Sequence, residues 1–100
     1  MALSLDTVIV TTSPYTMDKD KDLFLVNRTG PSSLILPVLN NSDKGKSFYI
    51  KDASGTSTTN PITITAPSNK TINGVSFAML NGAYSHIQVA YDGTNWLIIA

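Results

Sequence analysis

Tyr84-Ser-His-Ile-Gln-Val-Ala-Tyr91, then Asp92-Gly93-Thr94-Asn95, then Trp96-Leu-Ile-Ile-Ala100 is the stretch that sets the fold class. An Asp-Gly between two strand-forming runs is a hairpin signal. A two-residue turn on Gly93-Thr94 and a four-residue loop over Asp92 to Asn95 give the same register. Tyr91 is expected to face Trp96, Val89 to face Ile98 and Ile87 to face Ala100. On the other face Ala90 pairs with Leu97 and Gln88 with Ile99. Both faces are therefore largely apolar, at a chain end that would ordinarily fray. The hairpin is expected to be locked into a core or against a partner subunit.

Upstream, strand-like runs recur at short spacing. They are Thr7–Thr12, Leu23–Asn27, Ser33–Val38, Lys46–Lys51, Pro61–Ala66, Val75–Leu80, Ser85–Tyr91 and Trp96–Ile99. Several alternate with period two, as in Ile62-Thr-Ile64-Thr and Phe48-Tyr-Ile50-Lys. Turn segments separate them, among them Thr29-Gly-Pro-Ser, Ala53-Ser-Gly55-Thr, Asn73-Gly74 and Asn81-Gly82. A weak internal echo links Phe24 to Gly30, followed by Leu34-Ile-Leu-Pro37, with Phe48 to Gly55, followed by Ile62 to Pro67. It reads as one hairpin pattern used twice, too irregular for a solenoid.

Composition narrows the class further. One hundred residues make one domain, 1–100, with residues 1–6 as a candidate N-terminal arm. The chain has no cysteine, no glutamate and a single glutamine, while Thr, Ser and Asn abound. That balance disfavours a long helix and excludes a disulfide framework. Charged residues are 14% of the chain and the net charge is zero. Soluble monomers usually carry more charge, so a surface held against other protein is expected. The seven scattered basic residues cannot form a phosphate-tracking stripe, which argues against nucleic acid. The first residues lack a signal peptide's basic segment and apolar core, and no apolar run is long enough to cross a bilayer.

Gly45-Lys-Ser-Phe-Tyr-Ile-Lys-Asp52-Ala-Ser-Gly55, Asn60-Pro-Ile-Thr-Ile-Thr65, Thr71-Ile-Asn-Gly74 and Tyr91-Asp-Gly-Thr-Asn-Trp96 occur in that order. Together with Leu23–Val26 and Leu34-Ile-Leu-Pro37, the series resembles a β-structured module of tailed-bacteriophage virion proteins. That module occurs at tail-fibre tips and in small capsid-associated proteins. The resemblance spans Thr7 to Ala100. It implies virion structure, often trimeric, and no catalytic residue. Unlike many members, this module is expected to stand alone, with no long fibre shaft or enzymatic domain before it.

Asp18-Lys-Asp20-Lys-Asp22 opens like a calcium loop, but Leu23 stands where the loop needs Gly and Thr29 where it needs Glu; a solvated turn is expected. His86, the single histidine, has no Gly-x-Ser-x-Gly elbow to serve. By strand parity it should share a face with Tyr84 and Gln88, and Tyr84 and His86 are the candidate interface residues. All seven acids are aspartates, mostly in turns, rather than a glycosidase pair. Tyr15, Tyr49, Tyr84, Tyr91 and Trp96 could include a sugar-stacking platform, although such aromatics more often build a core or interface. Three Asn-x-Ser/Thr sequons, at Asn27, Asn40 and Asn69, are read as accidental.

The sequence thus predicts an all-β fold, an antiparallel sandwich or jelly roll of about eight strands. Gly55, Gly74, Tyr91, Asp92, Gly93, Asn95 and Trp96 are its structural turn and core residues. No catalytic group, cofactor or metal is expected. The expected function is a capsid decoration or cement protein on the virion exterior, made in the host bacterial cytoplasm. Its expected partners are copies of itself in a homotrimer and the major capsid protein or another virion protein, with no nucleic acid and no membrane. The alternative is a receptor- or glycan-binding module of a tail fibre or tailspike.

Overall fold

The structure, a computed structural model, describes residues 5–100. Nine strands form: β1 (Thr7–Val10), β2 (Tyr15–Thr16), β3 (Leu23–Val26), β4 (Ser32–Ile35), β5 (Ser47–Asp52), β6 (Ile62–Thr65), β7 (Phe77–Leu80), β8 (His86–Tyr91) and β9 (Trp96–Ile98). Among the described residues the one helical element is a 3-10 turn at Asn41–Asp43, capped reciprocally by Asn40 and Asp43. The strands make two mixed sheets, ordered β1-β3-β5-β8-β9 and β2-β4-β6-β7.

The all-β expectation holds, but the strand direction differs. β1, β3 and β5 run parallel in one sheet, and β2, β4 and β6 run parallel in the other. From β1 to β6 the chain alternates between the sheets, so each strand–loop–strand unit crosses over instead of folding back. The echo between β3-β4 and β5-β6 is therefore a pair of stacked coils, not a repeated hairpin. Leu34 pairs with Ile64, which brings Pro37 and Pro67 to the same point of successive coils, two residues past each strand. Antiparallel pairing begins only at β7, beside β6, and in the β5-β8-β9 meander.

Period-two alternation places one row of side chains inside. Phe24, Ile50 and Ile87 stack across three neighbouring strands, and Leu34 and Ile64 stack in the facing sheet. All five join a single core with Val10, Val26, Leu36, Phe48, Val89, Tyr91 and Trp96. Each such side chain contributes about 1.5–3 kcal/mol by leaving water. Tyr15, Phe24, Phe48, Trp96 and Tyr91 run ring to ring through this core at centroid separations of 6.2, 6.3, 5.7 and 5.1 Å.

The C-terminal hairpin keeps the expected pairs Tyr91–Trp96, Ala90–Leu97 and Val89–Ile98. It departs at its end. Gln88 accepts from the Ile99 N–H and donates to the Ala100 carbonyl. Two residues thus oppose one, a β-bulge that displaces Ala100 from Ile87.

Residues 1–4 of the expected arm lie outside the described region. Asp6, the arm's last residue, is anchored: its carbonyl accepts from Asp22 and Leu23, and its N–H donates to the Asp22 carboxylate.

Candidate functional site

Alternation in β5 turns Phe48, Ile50 and Asp52 inward. Asp52 thus lands beside Val26, at the end of the row Val10–Val26–Asp52, and is 1% exposed. A carboxylate there must be satisfied by hydrogen bonds. Oδ1 accepts from the backbone of Ser54 and Gly55, at 3.2 and 3.0 Å, and from the Ser54 hydroxyl at 2.9 Å. Oδ2 accepts from the backbone of Ser57 and Tyr84, at 3.0 and 3.1 Å. Burial pushes the carboxyl up, but the bonds from Ser57, Tyr84 and Ser54 together outweigh it and hold Asp52 well below the usual carboxylate range.

This corner fixes its neighbours. Gly55 has φ +76°, and a Cβ there would lie 2.5 Å from the Tyr84 ring. Tyr84 itself has φ +59°, and the residue is 59% exposed. The Lys51 ammonium donates to the Tyr84 carbonyl and lies 5.9 Å from the centroid of its ring. The Ser57 hydroxyl donates to the Gly82 carbonyl. The Thr56 hydroxyl donates to the Arg28 carbonyl, and the Arg28 guanidinium donates to Pro31 and Ser32. The arrangement is a structural clasp in which every Asp52 bond is intramolecular.

The second feature is the outer face of the five-stranded sheet. Register lays down the rows Thr7–Leu23–Tyr49–Gln88, Ile9–Leu25–Lys51–His86 and Ser47–Ala90–Leu97. Ile9 and Leu97 are exposed, and Leu23, Leu25, Tyr49 and Ala90 are half-buried. Lys51 is the one Asp, Glu, Lys or Arg in these rows, and its ammonium is tied to Tyr84.

His86 stands exposed at the corner of this face, opposite Lys51. It shares the face with Gln88, as parity required. Tyr84 lies outside the strand, and its left-handed backbone breaks the parity argument. Tyr91 and Trp96 are core residues and offer no platform to a sugar. In the Asp92 loop, the carboxylate accepts from Thr94 and Asn95 at 2.8 and 2.7 Å. Those bonds, Asn95 first, hold its carboxyl below its ordinary value. Gly93 takes φ +100°, and the Asn95 side chain accepts from Thr71.

Asn73 and Gly74 carry positive φ between Ile72 and Val75, a tight turn. The Asn73 side chain also accepts from the Ile98 N–H, a role sequence reading missed. Asp52 was missed too. The signal was present: a period-two inner row, Phe48-Ile50-Asp52, ran straight into Ser54-Gly55-Thr56-Ser57. Asp18 and Asp22 bond backbone N–H groups, and no grouping of three metal-ligating side chains occurs among the described residues.

No protein-family model matches the chain, and no curated protein matches it.

Proposed function

We propose that this protein is a non-enzymatic structural subunit of a tailed-phage virion, a homotrimer that docks on the capsid as a decoration protein. The observation that supports assembly is the outer face of the five-stranded sheet. An antiparallel or mixed sheet with one face in water normally alternates apolar inside and polar outside. Here Ile9, Leu23, Leu25, Tyr49, Ala90 and Leu97 occupy outward positions in neighbouring rows. The phage assignment rests on the sequence resemblance, and the capsid role rests on that assignment. The mechanism is mechanical. Subunits cover seams between capsid proteins, and many weak copies add buried area that resists internal pressure.

The test combines sedimentation with capsid melting. Purified protein should sediment as a trimer and raise the melting temperature of expanded, empty capsids. Unchanged capsid melting, together with competition for phage adsorption to host cells, would favour a receptor-binding module instead. One observation favours that second reading: the Tyr84 ring is exposed and held by Gly55 and Lys51, a single stacking surface for a host glycan.

A further inference from the structure

β7 is an edge strand, paired to β6 on one side. The Ala66 N–H donates to the Ser76 carbonyl, and the Leu36 N–H donates to the Thr65 carbonyl. Alternation then turns Ser76, Ala78 and Leu80 toward β6 and the backbone of Phe77 and Met79 outward. Among the described residues, no hydrogen bond outside the strand ladders meets the Phe77 or Met79 backbone, and no strand lies on that side. Their side chains, 47% and 44% exposed, stand on the outer face of the sheet.

Natural sheets blunt such edges with charge, proline, shortness or cover. Two other edges of this protein are blunted. β2 has two residues and follows Pro14. The outer edge of β9 is covered by Thr71 and Asn73, which bond Trp96 and Ile98. β7 has none of these devices. No Asp, Glu, Lys or Arg occurs between Lys70 and Asp92, and no proline falls there.

We infer that β7 is a pairing edge whose occupant is β7 of a second copy, running antiparallel about a two-fold axis through Ala78. The sequence of the edge is complementary to itself under that operation. Phe77 would exchange both backbone hydrogen bonds with Met79 of the second copy, and Met79 with its Phe77. The side chains of each such pair fall on one face, where a thioether meets an aromatic ring. Ala78 meets its own image at the non-bonded position, where Cα atoms approach to about 4.5 Å and a small side chain fits. Neither edge brings a charge to the junction, so no like-charge pair opposes it. The two four-stranded sheets become one of eight strands. This contact is separate from the apolar face of the five-stranded sheet and does not depend on the virion reading. A ladder this short buries less than the roughly 1,600 Å² of a standard interface. The pairing is therefore weak in dilute solution and gains strength where copies are concentrated on a common scaffold.

The chain has no cysteine, so Ala78→Cys gives one reporter thiol. A Cα separation of about 4.5 Å lies within the range a disulfide spans. Mild oxidation at high protein concentration should convert Ala78→Cys to a disulfide-linked band at twice 10.7 kDa. Val38→Cys, 70% exposed and outside the strands, should give no disulfide-linked band under the same conditions. Adding Met79→Pro to Ala78→Cys removes an outward N–H without touching the β6 ladder, and should abolish the cross-link while circular dichroism stays that of a folded β protein. Equal cross-linking by Val38→Cys, or none by a folded Ala78→Cys, would overturn the inference. Persistence of the cross-link in the Met79→Pro background would do the same.

Discussion

A buried carboxylate stabilises a fold only when every lone pair facing the protein has a donor. Asp52 meets that condition through Ser54, Gly55, Ser57 and Tyr84. An asparagine can supply one acceptor oxygen where the carboxylate supplies two, so its NH₂ would point at N–H groups. Asp52→Asn should lower the unfolding free energy by about 2–6 kcal/mol, at about 1–3 kcal/mol for each of two orphaned donors. Urea denaturation at pH 7 reads this. The pH dependence follows from the sign of the shift. The folded carboxyl lies below its unfolded value of 3.8, so its stabilisation is present above that pH. It is lost as pH falls further toward the folded value. Wild type should therefore weaken steeply on acidification below about pH 4, and Asp52→Asn should show a shallower fall. The same corner limits Gly55. Alanine there must take φ +76°, at about 1–2 kcal/mol, and push the Tyr84 ring aside. Gly55→Ala should thus be destabilising, and combining it with Tyr84→Ala should relieve the steric part alone. The turn role of Gly55 was legible in Ala53-Ser-Gly55-Thr. The tyrosine above it was not, because its contact joins two segments distant in sequence.

At the scale of elements, local signals were read well and partner choice was not. Eight of the nine strands were legible as apolar or alternating runs; β2, at two residues, is too short for any period. The hairpin register was legible because turn length and parity together fix it. Parallel coiling was not, because inner and outer positions alternate identically in parallel and antiparallel strands. A short link such as residues 27–31 can fold a strand back or carry it across to the opposite sheet. The continuous apolar run Leu23-Phe-Leu-Val26 was the available hint, since parallel strands tend to be apolar on both faces. Edge protection was equally hidden. Asn73 closes a tight turn at φ +51° and caps the edge of β9 at Ile98. Asn73→Ala removes both contributions and should cost about 0.5–1.5 kcal/mol, the net worth of one solvent-accessible hydrogen bond. Amide hydrogen exchange should show the Ile98 N–H losing protection first, before the Val89 N–H deeper in the sheet. Uniform loss across β8 and β9 would count against an edge-capping role.

The molecule joins three stacked coils, β1-β2, β3-β4 and β5-β6, to a C-terminal meander, and Trp96 is where they meet. Its ring lies 5.7 Å from Phe48 and 5.1 Å from Tyr91, and the side chain is 1% exposed. Its strand also bridges to Ile72. Trp96→Ala should therefore cost about 3–5 kcal/mol and lower the melting temperature of the whole fold, not of one hairpin. The outer face makes the opposite prediction. Leu25 and Leu97 stand outside the core on the same face, with the Tyr49 row between theirs, so a charge at either is readily solvated in an isolated subunit. Surface substitutions of that kind usually change stability by no more than about 0.5 kcal/mol. In an assembly that buries the same face, two lysines per subunit would be desolvated without partners, at several kcal/mol each. Leu25→Lys/Leu97→Lys should thus melt near the wild-type subunit temperature at low concentration. At high concentration it should sediment as a smaller species than wild type and fail to raise capsid melting. If the double variant assembles and protects capsids as wild type does, the five-stranded sheet is not the contact surface. If it unfolds as a dilute subunit, those leucines belong to the core and the assembly argument loses its main support.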